Sequence, residues 1–291
     1  MAALSRPWAW LRRNGLPIYA GFAVAYMLIP IVVIAVFSFG DTPRDRLTFG
    51  LDDGFTLEYW ESAFAIRELN DALFTSLRLA ALSTVVSTVL GTLMALALVR
   101  HRFRARRAAN LLIVIPMATP EVVIGAALLS MFIYYTLALG FTTLLIAHIM
   151  FSISFVVVVV RSRLIGFDRS LEEAAADLGA TPFTAFRTVT LPLLAPGIMA
   201  AALLAFALSI DDFVISNFNS GIEVTFPLYV YGVSLRGIPV QVNVLATMLF
   251  AVTVLAIALV LVQQRRAERL AARVSEPQQP PIPAPGAAAT S

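Results

Sequence analysis

Three acidic residues, Glu121, Asp211 and Asp212, fall inside long apolar runs of the sequence. A carboxylate at mid-membrane costs about 2.5–3.5 kcal/mol on an insertion scale, so each is a candidate for contact with a solute or its gate. Glu121 follows Pro116 and Pro120 in IPMATPEVVIG. Prolines free backbone carbonyls and weaken a helix, which is one way to build a bend beside a cavity. The plainer account of Glu121 is a carboxyl bonded to a neighbouring helix. Asp211 and Asp212 are read as late residues of one helix, about 100° apart around its axis, so they cannot both face one lumen. One is expected to line a path while the other caps or pairs. His148, in LLIAHIMFSISF, has no second ligand nearby and is expected to be an interhelical hydrogen bonder, not a metal or proton site.

The chemistry the chain cannot do is as informative. All 21 basic residues are arginine, there is no cysteine, and only two histidines occur. No P-loop lysine, Schiff base, thiolate nucleophile or zinc–thiolate site can be assembled. The chain is therefore expected to be no enzyme, with neither metal nor cofactor of its own.

A second group of residues lies in the polar stretch Arg161–Pro192, the longest charged interruption of the apolar second half. It reads as two short helices. Ser170 is placed to cap the first, with Glu173 as the partner in a capping box, and Gly179 is placed to end it in the left-handed conformation. Thr181-Pro182 starts the second, and Pro192 is expected to stop it. A solvated helix explains Ser170 and Glu173, but not the apolar Leu171, Ala174, Ala175, Leu178, Phe183 and Phe186 in a water-facing segment. A partner protein explains them.

These residues must be positioned by membrane spans. The chain is 59% apolar and 13% charged with mean hydropathy +0.84, against roughly 45–50% and 25% in soluble domains. A hydrocarbon core about 30 Å thick needs about 20 apolar residues of helix. Six stretches qualify: Pro17–Phe39, Leu73–Val99, Asn110–Leu137, Leu139–Val160, Ala195–Phe218 and Val244–Val262. The fold class expected is all-α, an integral membrane bundle of six helices over 1–274, with the Pro- and Ala-rich 275–291 as a disordered tail. The first run, behind Arg6, Arg12 and Arg13, is too long for a usual signal core and is read as an uncleaved anchor.

Arginine placement sets the orientation. Sixteen arginines fall at the amino terminus, in 100–107, in 161–192 and in 265–273, against four (Arg44, Arg46, Arg67 and Arg236) on the other side, with Arg78, near the outer start of the second span, left out. By the positive-inside rule both termini and the 161–192 module are cytoplasmic in a multi-pass plasma membrane protein. The cluster Arg100–Arg107 is read as the topological signal, with contact to anionic membrane lipid second, and not as a nucleic-acid site. The first external connection is acidic (Asp41, Asp45, Asp52, Asp53, Glu58, Glu61, Glu68, Asp71), and its Phe55, Tyr59, Trp60 and Phe64 are spaced for a short amphipathic helix. The last, with FPLYVYGVSLRG, is expected to lie over the bundle mouth as a re-entrant or surface segment.

Glu173-Ala174-Ala175, three residues, Gly179, nine residues, Val189, one residue and Leu191-Pro192 resemble the cytoplasmic signature of the membrane subunits of binding-protein-dependent ABC importers. Val189 stands where isoleucine is commoner. The stretches AHIMFSISFVVVVVRSRL, ALLAFALSIDDFVISNF and FPLYVYGVSLRG with NVLATMLF are similar to the second membrane subunit of spermidine/putrescine importers. The resemblance implies a type I importer permease with a cytoplasmic coupling helix. It implies ATPase-coupling roles for Glu172, Glu173, Ala174, Ala175, Gly179, Leu191 and Pro192. It further implies a heterodimer with a second permease subunit, two copies of an ABC ATPase carrying ATP-Mg, an extracytoplasmic substrate-binding protein, and a polyamine substrate. A flexible polycation needs carboxylates and aromatic faces in place of its hydration. Glu121, Asp211 and Asp212 with Phe226, Tyr229 and Tyr231 are therefore the expected path residues. The rival readings are another small solute (iron, an anion or an amino-acid derivative) in the same architecture, and an ion-coupled secondary transporter using Glu121 and His148.

Overall fold

The computed structural model describes residues 5–40, 54–101 and 103–274. Asp41, Arg44, Asp45, Arg46, Asp52 and Asp53 of the first external connection, and the 275–291 tail, lie outside the described residues. The chain divides into two units, Met1–Leu245 and Ala246–Ser291. Among the described residues everything regular is helical, apart from one antiparallel bridge between Gly40 and Phe55.

Helix α1 spans Ser5–Phe37 and includes Pro17 and Pro30. Its apolar part, Asn14–Phe37, buries none of its most apolar stretch against the rest of the chain. A single turn, α2 (Glu58–Glu61), follows, with Trp60 stacked on Phe39 at 5.0 Å between ring centroids. The amphipathic helix expected around Phe55–Phe64 is thus reduced to one turn.

The core is built by α3 (Arg67–Arg100), α6 (Phe141–Ile165) and α9 (Leu191–Ile210). Ala95 and Leu98 of α3, Val156, Val157 and Val160 of α6, and Leu194, Ala201 and Ala205 of α9 form one buried cluster. Small residues let the backbones approach, as in other membrane bundles where lipid supplies no hydrophobic drive between helices. Gly91 shows how close this is: a Cβ there would lie 2.6 Å from Val156 Cγ1.

The third predicted span is two helices. α4 (Arg106–Ala118) and α5 (Glu121–Tyr134) meet at a bend of 112°. Pro120 has no N–H to continue the ladder, and the residue before it, Thr119, is extended at φ −87°, ψ 135°, as a proline demands of its predecessor. Five single helices and this bent pair make six candidate spans among the described residues, so the expected all-α membrane bundle is what the chain forms.

The fifth span differs most from expectation. Pro192 does not stop the second module helix. From α8 (Pro182–Ala185) the chain passes through a π turn, Phe186–Thr190, directly into α9, so that Pro182–Ile210 is one apolar helical run. Pro192 sits in the first turn of α9, where the wide turn behind it takes up the missing donor. The run then ends at Ile210, and a separate helix, α10 (Val214–Asn219), follows. Asp211 and Asp212 therefore occupy a break between helices, and the 100° argument for one continuous helix does not apply. After α10 come α11 (Phe226–Ser234), too short to span, and α12 (Val240–Val274). The described part of the second unit is the length of α12 from Ala246 onward, where Phe250, Val252, Val254, Leu255, Ile257, Leu259 and Val262 are exposed.

Candidate functional site

The 161–192 module forms around α7 (Ser170–Asp177). The capping box expected of Ser170 and Glu173 is absent, because Ser170 is already the first helical residue and its N–H donates to Asp168 Oδ1 at 2.9 Å. That backbone hydrogen bond, with the Ser170 side chain second, holds the Asp168 carboxyl below its ordinary range. The carboxyl-terminal end follows the sequence reading. Gly179 has φ +87°, its N–H donates to the Ala176 carbonyl at 2.9 Å, and the Ala180 N–H reaches back to Ala175 at 3.0 Å. This is the paired Schellman closure that a residue in the left-handed conformation permits. Thr181 Oγ1 then accepts from the Thr184 N–H at 3.3 Å, with Pro182 at the first helical position.

The two glutamates of the module have separate fates. Glu172 is half-buried: its Oε1 receives Arg100 Nη2, from the last residue of α3, and Thr190 Oγ1, from the last residue of the π turn. Glu173 and Ala174 are exposed, as are Leu171, Leu178 and Phe183, the last two at 90% and 72%. Ala175 and Phe186 are half-buried, while Leu191 and Pro192 are exposed. Leu171 and Ala174 of α7 and Leu178, which caps its carboxyl-terminal end, recur at helical spacing along one stripe. The module thus presents an exposed apolar stripe rimmed by the Glu173 carboxylate.

The second group assembles at the helix breaks. Glu121 is the first residue of α5, just past the Pro120 bend, and Asp211 closes α9; both are exposed. Ile124, three residues after Glu121, and Ile215, three residues after Asp212, share one buried cluster, so the two breaks lie close together. Tyr231 of α11 packs on Phe213 of the same break at 4.8 Å between centroids. The structure thus brings Glu121, Asp211 and Tyr231 to one neighbourhood. Phe226 and Tyr229 are half-buried on α11, which is fastened to α3 by the Phe226 N–H donating to Ser76 Oγ at 2.8 Å. Burial, with the charge of Glu68 second, pushes the Tyr229 hydroxyl above its ordinary pKa.

Asp212 is not available to a solute. It is 8% exposed, and its carboxylate accepts the N–H groups of Ile215 at 3.2 Å and Ser216 at 2.8 Å and the Ser216 hydroxyl at 2.9 Å. It thereby caps α10, whose first N–H groups would otherwise have no partner. The capping continues into a buried polar chain. His148 Nε2 lies 3.0 Å from Ser216 Oγ and 3.5 Å from Asp212 Oδ2, while Nδ1 lies 2.8 Å from Ser209 Oγ, which accepts from Ser83 Oγ at 3.0 Å. One tautomer satisfies every member: Nε2–H donates to Ser216, which donates to Asp212, and Ser209 donates to Nδ1. His148 is therefore the interhelical bonder expected, tying α6 to α9 and α10, and Ser83 extends the tie to α3.

Ser83, Ser209 and Ser216 were not singled out in the sequence, and neither was Asn219. Asn219 Nδ2 donates to Ile215 O at 2.9 Å and Gly125 O at 3.3 Å, and the Asn219 backbone carbonyl accepts from Thr143 Oγ1 at 2.9 Å. Their one sequence signal is polarity inside an apolar run, which in a bilayer requires a partner. Arg161 and Asn110, at the edges of two apolar runs, are likewise joined at 2.9 Å between α6 and α4.

Comparison with known proteins agrees with this geometry. Residues 87–275 match the family described as binding-protein-dependent transport system inner membrane component. The spermidine/putrescine transport system permease protein PotC of Haemophilus influenzae is 38% identical over 242 residues, covering 82% of this chain and 91% of that protein. The putrescine transport system permease protein PotI of Escherichia coli (strain K12) is 35% identical over 237 residues, covering 79% and 82%. Among solved structures, a bacterial ABC transporter involved in the import of the acidic polysaccharide alginate shares the fold, with TM-score 0.61, 19% identity, and coverage of 91% of this chain and 98% of that one. With a matching stretch of more than half its length and relatives aligned over about four fifths of it, the chain belongs to the family of inner membrane components of binding-protein-dependent transport systems.

Proposed function

We propose that this chain is the permease subunit of an ATP-driven importer and forms half of a translocation path for polyamines such as spermidine and putrescine. The observation that carries the cargo is the acidic pair Glu121 and Asp211. Two exposed carboxylates at adjoining helix breaks, with the Phe213–Tyr231 ring pair beside them, offer a polyamine both charge and aromatic faces. The names of the relatives point the same way. An anionic cargo would be repelled by this pair, and ion coupling through His148 would require breaking a satisfied hydrogen-bond chain.

In this reading the exposed stripe of α7 with Glu173, ending at Gly179, docks on an ATPase that holds ATP-Mg. A second permease completes the path, two ATPase copies drive it, and an extracytoplasmic binding protein delivers the cargo. Both termini and the module face the cytoplasm, as the arginine distribution requires. Closure of the ATPase pair moves the module and rocks the spans about the path.

The test is uptake of labelled spermidine and putrescine by cells carrying Glu121→Gln, Asp211→Asn or both. Each single variant is expected to lose about threefold to tenfold in uptake, the scale of one net hydrogen-bonded contact of about 0.5–1.5 kcal/mol, with the ATPase still copurifying. Wild-type uptake in the double variant would remove the acidic pair from the path.

A further inference from the structure

Glu172 and Glu173 are neighbours in sequence, yet on α7 they point about 100° apart. Glu173 is exposed and makes no side-chain ion pair or hydrogen bond among the described residues, whereas the side chain of Glu172 is 23% exposed and that of its partner Arg100 is 25%. One oxygen, Glu172 Oε1, receives donors from two different spans. Arg100 is the terminal residue of α3, and Thr190, itself fully buried, is the residue from which α9 begins. This is the one polar side-chain tie from α7 to the spans among the described residues.

The two helices it holds are already partners. α3 and α9 share the buried cluster of Ala95, Leu98, Leu194 and Ala201, and nearer their other ends Ser83 bonds Ser209 at 3.0 Å. α9 (Leu191–Ile210) is flanked by Thr190 at one end and Asp211 at the other, and α3 carries α11 through Ser76. A displacement of α7 transmitted through Glu172 therefore acts on the feet of both helices that lead to the acidic break.

We propose that Glu172 is not a docking residue but an internal latch. It is a positioning residue that locks the docking helix to the α3–α9 pair, so that movement of α7 becomes movement of the path. The proposal rests on the reading of α7 as the ATPase-docking element, and it separates that docking, assigned to Glu173 and the apolar stripe, from transmission, assigned to Glu172, Arg100 and Thr190.

The experiment uses the complete transporter in proteoliposomes with Mg-ATP and measures spermidine taken up per ATP hydrolysed, together with retention of the ATPase on the tagged permease. The variants are Arg100→Gln, Glu172→Gln, both together, Thr190→Val, and the charge exchange Arg100→Glu with Glu172→Arg. Each single Gln variant is expected to lower uptake per ATP about tenfold, the scale of a hydrogen bond to a charged group, with the ATPase retained. The double Gln variant should be no worse than either single, and the exchange should recover a large part of the ratio. Thr190→Val, which keeps the volume and removes the hydroxyl, should give a smaller loss in the same direction. Release of the ATPase by Glu172→Gln, losses that multiply in the double variant, or a wild-type ratio in every variant would overturn the latch. If the wild-type complex itself moves no spermidine, the transport reading fails and the latch falls with it. Wild-type transport that the latch variants match removes the latch alone.

Discussion

The assignment of Asp211 to the path and Asp212 to the scaffold is tested most directly by removing the Asp212 carboxylate. In Asp212→Ala the N–H groups of Ile215 and Ser216 and the Ser216 hydroxyl lose their acceptor in a site that is 8% exposed. A buried donor left unpaired costs about 1–3 kcal/mol, and loss of a capping side chain costs about 0.5–2 kcal/mol. Some of these donors will find another acceptor as the first turn of α10 relaxes, so a net loss of about 3–5 kcal/mol is expected. At roughly 2–4 °C per kcal/mol for a chain of this class, the midpoint of thermal unfolding of the purified permease in detergent should fall by on the order of 10 °C. Asp212→Asn keeps one of the two acceptor oxygens and sets an NH2 against the donor of the other, so it should lose about 1–3 kcal/mol, less than the alanine variant. Asp211→Ala, at an exposed position, should move the midpoint by less than the roughly 0.5 kcal/mol typical of surface changes, yet reduce uptake. The readings are scanning fluorimetry for stability and labelled spermidine uptake for function. An unchanged midpoint in Asp212→Ala, with uptake reduced as in Asp211→Ala, would refute the division of roles.

Three further outcomes follow from the same geometry. Gly91→Ala forces a methyl to within 2.6 Å of Val156 Cγ1 and should cost about 1–3 kcal/mol through overpacking, read as a lower unfolding midpoint of the purified chain. Gly179→Ala meets no neighbour within 4 Å, so its cost of about 1–2 kcal/mol comes from the φ of +87° alone. It should appear as weaker ATPase retention, with the bundle's unfolding midpoint little changed. The depressed Asp168 carboxyl stabilises the start of α7 at pH above the ordinary carboxylate value near 4, and that contribution is lost as pH falls through the lower folded value. Amide exchange at Ser170 should accelerate below that range in the wild type, and Asp168→Asn should remove this pH dependence.

How much of this was legible in the sequence depends on whether a feature is local. Gly179 and Thr181-Pro182 announce a closure and a start that neighbouring atoms alone determine, and both form as read. The six apolar runs announce spans because the bilayer imposes their length. Pro120 marks a bend, although its 112° angle belongs to tertiary packing. Pro192 misleads because a proline normally ends a helix, and the π turn that accommodates it has no sequence signature of its own. Ser170 likewise looks like a cap until Asp168, a stronger acceptor two residues earlier, takes its place. That one aspartate of the adjacent pair caps while the other stays exposed is as expected from the sequence, but that the buried one is Asp212 has no local signal. It depends on His148 and Ser209, 64 and 3 residues away by sequence number, and on a helix break that the apolar run conceals.

The π turn at Phe186–Thr190 has one more consequence. Each residue added to or taken from a helix turns everything beyond it by about 100°, so this wide turn acts as a phase setting between the α7 module and the transmembrane rod of α9. Were the run a regular α-helix one residue shorter, Glu172 would meet a different face of α9, and Thr190 would no longer stand opposite it. The azimuth at which the module sits under the bundle is thus encoded by the count of residues in a single turn. Small insertions or deletions there would retune the machine's drive angle while leaving both the docking surface and the acidic break chemically intact.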